Sequence, residues 1–244
     1  MSGSHAGKRA AVYGASSGMG RATALALARA GADVAVLART ADALDEVASE
    51  IRAIGRQGVA IPVDIQDAAA ARASVDAVVE ALGGIDILVY ATGWNIPGRA
   101  LEMLSSSDWE LMQRTNLWGL YDVTQAALPA LRESGARLVV ISSAAVQMPD
   151  MSGVAYQSTK HGEAGFVYGM MHEEAGNGIR ATMIFPGLTE TPMIDRRPAP
   201  TPPEMIANAL QPEDVAEAVL FVSSLPARAY VPELVLLPAA IQQR

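Results

Sequence analysis

The sequence predicts an α/β fold: a single Rossmann-like, doubly wound domain around a mainly parallel seven-stranded sheet. Short apolar runs alternate with helical patterns along all 244 residues, a strand, glycine turn and helix open the chain, and no repeat or low-complexity tail interrupts it. Strands are expected near residues 9–13, 33–37, 59–63, 85–90, 137–142, 180–185 and 231–237. After the first strand, Arg21 to Ala30 reads as an alanine-rich helix. Val75, Val78, Val79 and Leu82 mark the apolar face of a crossover helix, Tyr156 to Glu174 reads as a long helix, and Pro212 opens another that carries Val215, Val219 and Leu220. From Thr191 to Pro203, Pro192, Pro198, Pro200, Pro202 and Pro203 break both helix and strand.

Composition restricts the function classes. A chain with 50% hydrophobic and 18% charged residues fits a globular protein with a substantial core. A net charge of -8, with no dense run among the 18 Lys and Arg residues, disfavours nonspecific nucleic-acid or anionic-membrane binding. With zero cysteines there is neither a disulfide nor a thiolate metal site. His5, His161 and His172 have no metal-ligand spacing with carboxylates, so no metal is expected. No run approaches the roughly 18 apolar residues of a membrane span, and a cytoplasmic location is the expectation.

Arg9-Ala10-Ala11-Val12-Tyr13 is followed by Gly14-Ala15-Ser16-Ser17-Gly18-Met19-Gly20 and a helix. Glycines allow a tight turn and close approach of backbone to a pyrophosphate, and a helix N-terminus supplies unpaired N–H groups and a positive dipole end. The spacing is GxxxGxG. Without its flanking strand and helix the cluster would read as a flexible turn.

Tyr156-Gln157-Ser158-Thr159-Lys160 puts a phenol and an ammonium on one helical face, with the hydroxyl of Ser143 thirteen residues upstream. A tyrosine of pKa about 10 is a poor base near neutrality. A unit charge about 4 Å away is worth roughly 4 kcal/mol at an effective dielectric of 20, so Lys160 is expected to lower that pKa. Ser143 ends an apolar run and would hydrogen-bond the reacting oxygen. YxxxK alone is a common pattern, and its company gives it meaning.

With both motifs in hand, the chain resembles the short-chain dehydrogenase/reductase family over essentially its whole length. Val63-Asp64 resembles the family's adenine-contacting pair, Arg114-Thr115-Asn116 its helix asparagine, Ile141-Ser142-Ser143 its catalytic serine, and Phe185-Pro186-Gly187-Leu188-Thr189-Glu190-Thr191 its nicotinamide-holding PGxxxT segment. The resemblance implies Asn116, Ser143, Tyr156 and Lys160 as the catalytic set. Tyr156 would be acid/base, Ser143 would hold the substrate oxygen, Lys160 would also bond the nicotinamide ribose, and Asn116 would anchor a water leading protons to solvent. It implies cofactor contacts from Gly14, Ser16, Ser17, Gly18, Met19, Gly20, Arg39, Asp64, Ile65, Ala91, Thr92, Gly93, Tyr156, Lys160, Pro186, Gly187, Leu188, Thr189 and Thr191. Residues 188–210, within the single domain 1–244, would cover the substrate, and Ser143, Met148, Tyr156 and Met193 would touch it, with Met151 also near the pocket. The family usually begins its glycine motif with threonine, where this chain has Tyr13. It usually carries Asn-Asn-Ala-Gly after the fourth strand, where this chain has Tyr90-Ala91-Thr92-Gly93. Those positions brace the sheet and the cofactor wall, so the departures bear on cofactor affinity and local geometry.

After the second strand, Ala38 stands where NAD-specific relatives place an acid, and Arg39 beside it matches a 2'-phosphate. NADP(H) is therefore the expected cofactor, Arg39 being otherwise a solvated strand-end charge. Leu210 to Val219 and the ending Val231 to Pro238 resemble the NADP-dependent 3-hydroxy acid and serine dehydrogenases and the clavulanate-type aldehyde reductases. The implied function is an oxidoreductase moving hydride between NADP(H) and a ketone/secondary alcohol or aldehyde/primary alcohol pair. The alternatives are a non-catalytic NADP(H)-binding sensor or scaffold and an NADP-linked epimerase or dehydratase. Arg196 and Arg197 either grip a substrate carboxylate or are a solvated pair, and His161 is expected to serve packing or the surface. Phe166, Tyr168, Met170 and Met171, beside Ala164, Gly165 and Gly169, give the long helix more apolar surface than one face needs, which predicts a homotetramer or homodimer.

Overall fold

The protein is described from a computed structural model covering residues 4–148 and 150–241. In chain order the regular elements are β1 (Arg9–Tyr13), α1 (Gly18–Arg29), β2 (Asp33–Ala38), α2 (Ala41–Ala53), β3 (Gly58–Pro62), α3 (Ala68–Leu82), β4 (Ile87–Tyr90) and α4 (Ser106–Met112). They continue with α5 (Gly119–Ser134), β5 (Arg137–Ile141), α6 (Val154–Glu173), β6 (Arg180–Pro186), α7 (Pro203–Ala207), α8 (Pro212–Ser224) and β7 (Glu233–Leu236). The seven strands pair in the order β3-β2-β1-β4-β5-β6-β7, every pair parallel. The order reverses between β1 and β4, and this opens a crevice at their carboxyl ends, where ligands bind in sheets of this kind.

Two apolar layers follow from strand alternation. Ala11, Tyr13, Leu88, Tyr90, Leu138 and Val140 point to one face, with residues of α3, α5 and α6. Ala10, Val12, Ile87, Val89, Val139 and Ile141 point to the other, with residues of α1, α2 and α8. Both faces are covered, which is why the strands read as continuous apolar runs. Local signals set the helix ends. The Asp67 carboxylate accepts from Ala69 N and Ala70 N to start α3, which stops at Gly83 with φ +79°. Gln211 and Asp214 form a capping box around Pro212 to start α8.

The expected strands all form, with ends shifted by a residue or two; β4 starts at Ile87 and β7 spans Glu233–Leu236. A larger difference is α1, which starts at Gly18 rather than Arg21. The glycine turn runs directly into the helix, so its first-turn N–H groups lie at the end of β1.

The two family departures meet in space. The rings of Tyr13 and Tyr90 stack at 6.3 Å between centroids. Tyr13 Oη and Ser74 Oγ are 2.8 Å apart, and Tyr90 Oη donates to Thr115 O at 3.0 Å. Burial pushes both phenols above their ordinary range, so each is a neutral strut. A Cβ at Gly119 would lie 2.7 Å from Tyr90 Oη and 2.5 Å from Ile65 Cγ1, so α5 begins with the residue that leaves room for this brace.

Candidate active site

A cavity of about 260 Å³ follows the carboxyl ends of β1, β2, β3 and β4. Gly14, Ser16, Ser17, Gly18, Met19 and Gly20 line one wall, with Arg39, Asp64 and Ile65 beyond β2 and β3, Ala91, Thr92 and Gly93 beyond β4, and Thr191 across from them. Gly14 has φ +81°, and a Cβ there would come within 2.8 Å of the Ala91 carbonyl group. A Cβ at Gly20 would collide with the Gly14 carbonyl oxygen. Ser17, the N-cap of α1, makes no side-chain capping bond, so the first-turn donors have no side-chain acceptor there. Thr115 Oγ1 and Trp94 Nε1 are buried without partners, and both residues line this cavity. Open helix N–H groups, close-approach glycines and orphaned polar atoms suit a pyrophosphate-bearing dinucleotide. Arg39 lies 5.4 Å from the Trp94 ring centroid and Arg196 lies 3.5 Å from it.

Ser143 follows β5, and its Oγ accepts from Ala145 N at 3.1 Å. Tyr156 sits in the first turn of α6 and Lys160 one turn later, with Nζ 5.6 Å from the tyrosine ring centroid. Asn116 is completely buried in a π-helical turn, Gln113–Trp118, between α4 and α5. Its Oδ1 accepts from Trp94 N at 2.7 Å, while Nδ2 donates to Trp94 O and to Thr159 Oγ1, each at 3.0 Å. Asn116 thereby ties the segment after β4 to the helix bearing Tyr156.

Lys160 has a partner that the motifs did not single out. Its Nζ donates to Glu163 Oε1 at 2.7 Å, and Ser142 Oγ donates to Glu163 Oε2 at 2.8 Å. Glu163 is wholly enclosed. Lys160 does pull the Tyr156 phenol down, as its spacing led one to expect, but its pull is outweighed and the phenol is raised overall. Burial is the main cause; Lys160 pulls it down, Glu163 pushes it up, the Ser143 hydroxyl pulls it down and Asp150 pushes it up. For Lys160, burial acts against the charged form, but Glu163 and Tyr156 together outweigh it and the ammonium is raised. Burial pushes Glu163 up in spite of Lys160 and Ser142. An acid three residues after the motif lysine was a readable signal, because i and i+3 share a helix face.

A second cavity of about 440 Å³ has Ser143 and Tyr156 in its wall, together with Pro186, Gly187, Leu188 and Thr189 after β6. Met19, Thr191 and Met193 line both cavities. Met151 and Met205 also line the second, but Met148 does not. The 3-10 turn Ala144–Val146, extended by Met148 N donating to Ala144 O, contributes Ala144 and Ala145 to the cavity. The 188–210 segment contains a 3-10 turn, Pro192–Arg196, and α7. It separates the two arginines: Arg196 lines the first cavity and Arg197 the second. Arg99, from the loop after β4, joins Arg197 there, and no sequence pattern pointed to it. His161 is exposed, with Nδ1 2.7 Å from Gln157 O, which agrees with a surface role. Among the described residues no group of three or more His, Cys, Asp or Glu side chains could hold a metal ion. No helix among them is long and apolar enough to cross a membrane.

Residues 8–201 match the family model described as short chain dehydrogenase. Sulfoacetaldehyde reductase 2 of Chromohalobacter salexigens is 32% identical over 234 residues, covering 93% of this chain and 92% of that protein. An alcohol dehydrogenase from the archaeon Thermococcus sibiricus, solved with 5-hydroxy-NADP, superposes with a TM-score of 0.88 at 30% identity, covering 97% of this chain and 99% of that one. Carveol dehydrogenase from Mycobacterium avium, solved with NAD, superposes with a TM-score of 0.90 at 26% identity, covering 99% of this chain and 100% of that one. The fold is thus a shared one, and the chain is a member of the short-chain dehydrogenase/reductase family of oxidoreductases.

Proposed function

We propose that this oxidoreductase uses NADP(H) to interconvert a ketone and secondary alcohol, or an aldehyde and primary alcohol, with Tyr156 as the acid/base. The observation that carries the reading is the junction of the two cavities: Met19, Thr191 and Met193 belong to both, so a ligand along the glycine turn would end beside Ser143 and Tyr156. The bound cofactor supplies or accepts the hydride. In reduction Tyr156 gives its phenolic proton to the carbonyl oxygen, which the Ser143 hydroxyl hydrogen-bonds; in oxidation the proton returns to Tyr156. Lys160 holds a positive charge near the phenol and would bond the cofactor's ribose hydroxyls, and the buried Asn116 fixes the geometry. Burial raises the Tyr156 pKa and keeps the proton on the phenol, which suits the proton-donor role in reduction.

NADP(H) is favoured because Arg39 lines the first cavity beside Ala38, is exposed, and has no carboxylate partner in the ion pairs of the described residues. The relatives include both NADP- and NAD-bound structures, so this preference belongs to the local charge. A homotetramer or homodimer fits the exposed Tyr121 and Tyr168 and the open space around Gly165 and Gly169 on α6.

The test is NADPH oxidation with a panel of aldehydes and ketones, with Tyr156→Phe run beside the wild type. Loss of roughly 100- to 10,000-fold in kcat/KM, with NADPH binding retained, is expected. Tight NADPH binding without turnover would instead identify a sensor. Net conversion without stoichiometric NADPH loss would identify an epimerase or dehydratase. Wild-type efficiency should be higher with NADPH than with NADH, and Arg39→Ala should narrow the gap; equal wild-type efficiency removes the cofactor assignment.

A further inference from the structure

We infer that the second cavity selects carbonyl substrates that carry an anionic group, held by the guanidinium groups of Arg99 and Arg197. This rests on the proposed carbonyl chemistry and adds a substrate class to it.

Both arginines are half-buried and line the cavity that contains Ser143 and Tyr156. Neither is in an ion pair with a described carboxylate. The hydrogen bonds of Arg99 go to neutral carbonyls: Nε donates to Ile96 O at 2.7 Å and Nη2 to Arg196 O at 2.9 Å. These contacts hold the guanidinium in place and leave its charge uncompensated. Gly153 allows the close approach, since a Cβ there would lie 2.7 Å from Arg99 Cβ. Among the described residues, Arg197 makes one side-chain bond, from Nη1 to Thr201 Oγ1 at 3.3 Å. The two cations feel each other: burial first, then Arg197, lowers the pKa of Arg99, while Tyr156 and Asp150 act in the opposite direction.

Like charges gathered on the wall of a partly enclosed cavity are unfavourable without a counter-charge. Asp150 is the carboxylate on this wall, and its Oδ1 accepts from Ser152 N at 2.8 Å and from Gln157 Nε2 at 3.2 Å. Two guanidinium groups against one carboxylate leave a positive surplus. An independent sign is Ser152: its Oγ is buried without a partner, and the residue, 8% exposed, lines the same cavity. It offers a further donor to an anion. Met151, Ile194 and Met205 make the remaining wall apolar. The fitting substrate has its carbonyl at Tyr156, a short apolar stem, and a carboxylate or sulfonate at the arginines.

The experiment compares NADPH-dependent reduction of succinic semialdehyde and its neutral amide, 4-oxobutanamide, with sulfoacetaldehyde as the sulfonate arm. A charge-assisted contact predicts a roughly 10- to 100-fold higher kcat/KM for the anion, expressed mainly in KM. In Arg197→Gln the ratio should fall toward one; Arg99→Lys, which keeps the charge without the planar fork, should lower it partially. Equal efficiency for anion and amide in the wild type overturns the inference, as does a preference that survives both substitutions. Calorimetry with the protein–NADPH complex, using unreactive butanoate and butanamide, separates this site from the redox reading. Arg197-dependent binding of butanoate alone supports the anion site even if no aldehyde is turned over, and indifference to the charge overturns it.

Discussion

Two ion pairs, one within α6 and one at its C-terminal cap, make unlike use of the same chemistry. Lys160–Glu163 is closed at 2.7 Å, with side chains 2% and 0% exposed, whereas Arg132–Glu174 is closed at 2.6 Å with side chains 47% and 7% exposed. The exposed pair is a fork: Arg132 Nε and Nη2 donate to the two oxygens of Glu174, and Asn177 Nδ2 adds a third bond at 2.8 Å. Arg132 pulls the Glu174 carboxyl down to about 2, while burial pushes the Glu163 carboxyl up. One glutamate is held ionised by a partner that stays in water. The other is pushed up by burial, and an equally desolvated lysine opposes that push. A buried pair of this kind contributes little net stability while its loss on one side is costly, so its value lies in keeping Lys160 charged beside Tyr156.

The largest expected effect comes from breaking the buried pair. Lys160→Met should cost about 3–5 kcal/mol in denaturant unfolding at neutral pH, because Glu163 is left without its cation, and Lys160→Met/Glu163→Leu should recover much of that loss. A cost below about 1 kcal/mol would show that the interior is not dry enough for the contrast to hold.

Glu163→Gln sharpens the comparison at smaller cost, since the amide can still accept from Ser142. Removing the negative charge that pushes Tyr156 up should move the acidic limb of alcohol oxidation to lower pH. An unmoved pH–rate profile, with Lys160 and Tyr90 left as the other ionisable groups facing this position, would reduce Glu163 to a packing role.

The smallest effect is expected from Glu174→Gln. The folded-state pKa of Glu174 is depressed, so its stabilisation is present above its ordinary value of 4.5 and is lost as pH falls toward about 2. Thermal melts should show the variant below wild type at neutral pH by no more than a few degrees, with the two converging in acid. A constant gap across that window would assign the effect to shape rather than charge.

The legibility of this molecule follows the distance along the chain over which each feature is decided. β1, the glycine turn and α1 were readable because they are contiguous. Tyr156 and Lys160 were readable because a helix brings i and i+4 together whatever surrounds it. Glu163 obeyed the same rule and was still missed, since its importance depends on Ser142 from β5 and on complete enclosure, neither of which spacing reports. Tyr13 and Tyr90 looked like two separate departures. Parallel pairing of β1 with β4 sets them side by side, and Ser74 and Thr115 complete the brace. Met148 and Met151 were indistinguishable by position, and only the folded chain shows that Met151 lines the second cavity.

By itself the sequence determined the parallel doubly wound sheet, the dinucleotide-type crevice and the Ser143, Tyr156 and Lys160 set. Periodicity, glycine geometry and helical spacing are local properties that survive ignorance of the fold. The tertiary structure alone decided that a carboxylate faces Lys160, that Arg196 and Arg197 part to different cavities, and that Arg99 meets Arg197 beside Tyr156. Charge, burial and pKa depend on what approaches through space: Glu163 reaches Lys160 along one helix, but its contact with Ser142 and the meeting of Arg99 with Arg197 join segments far apart in the chain.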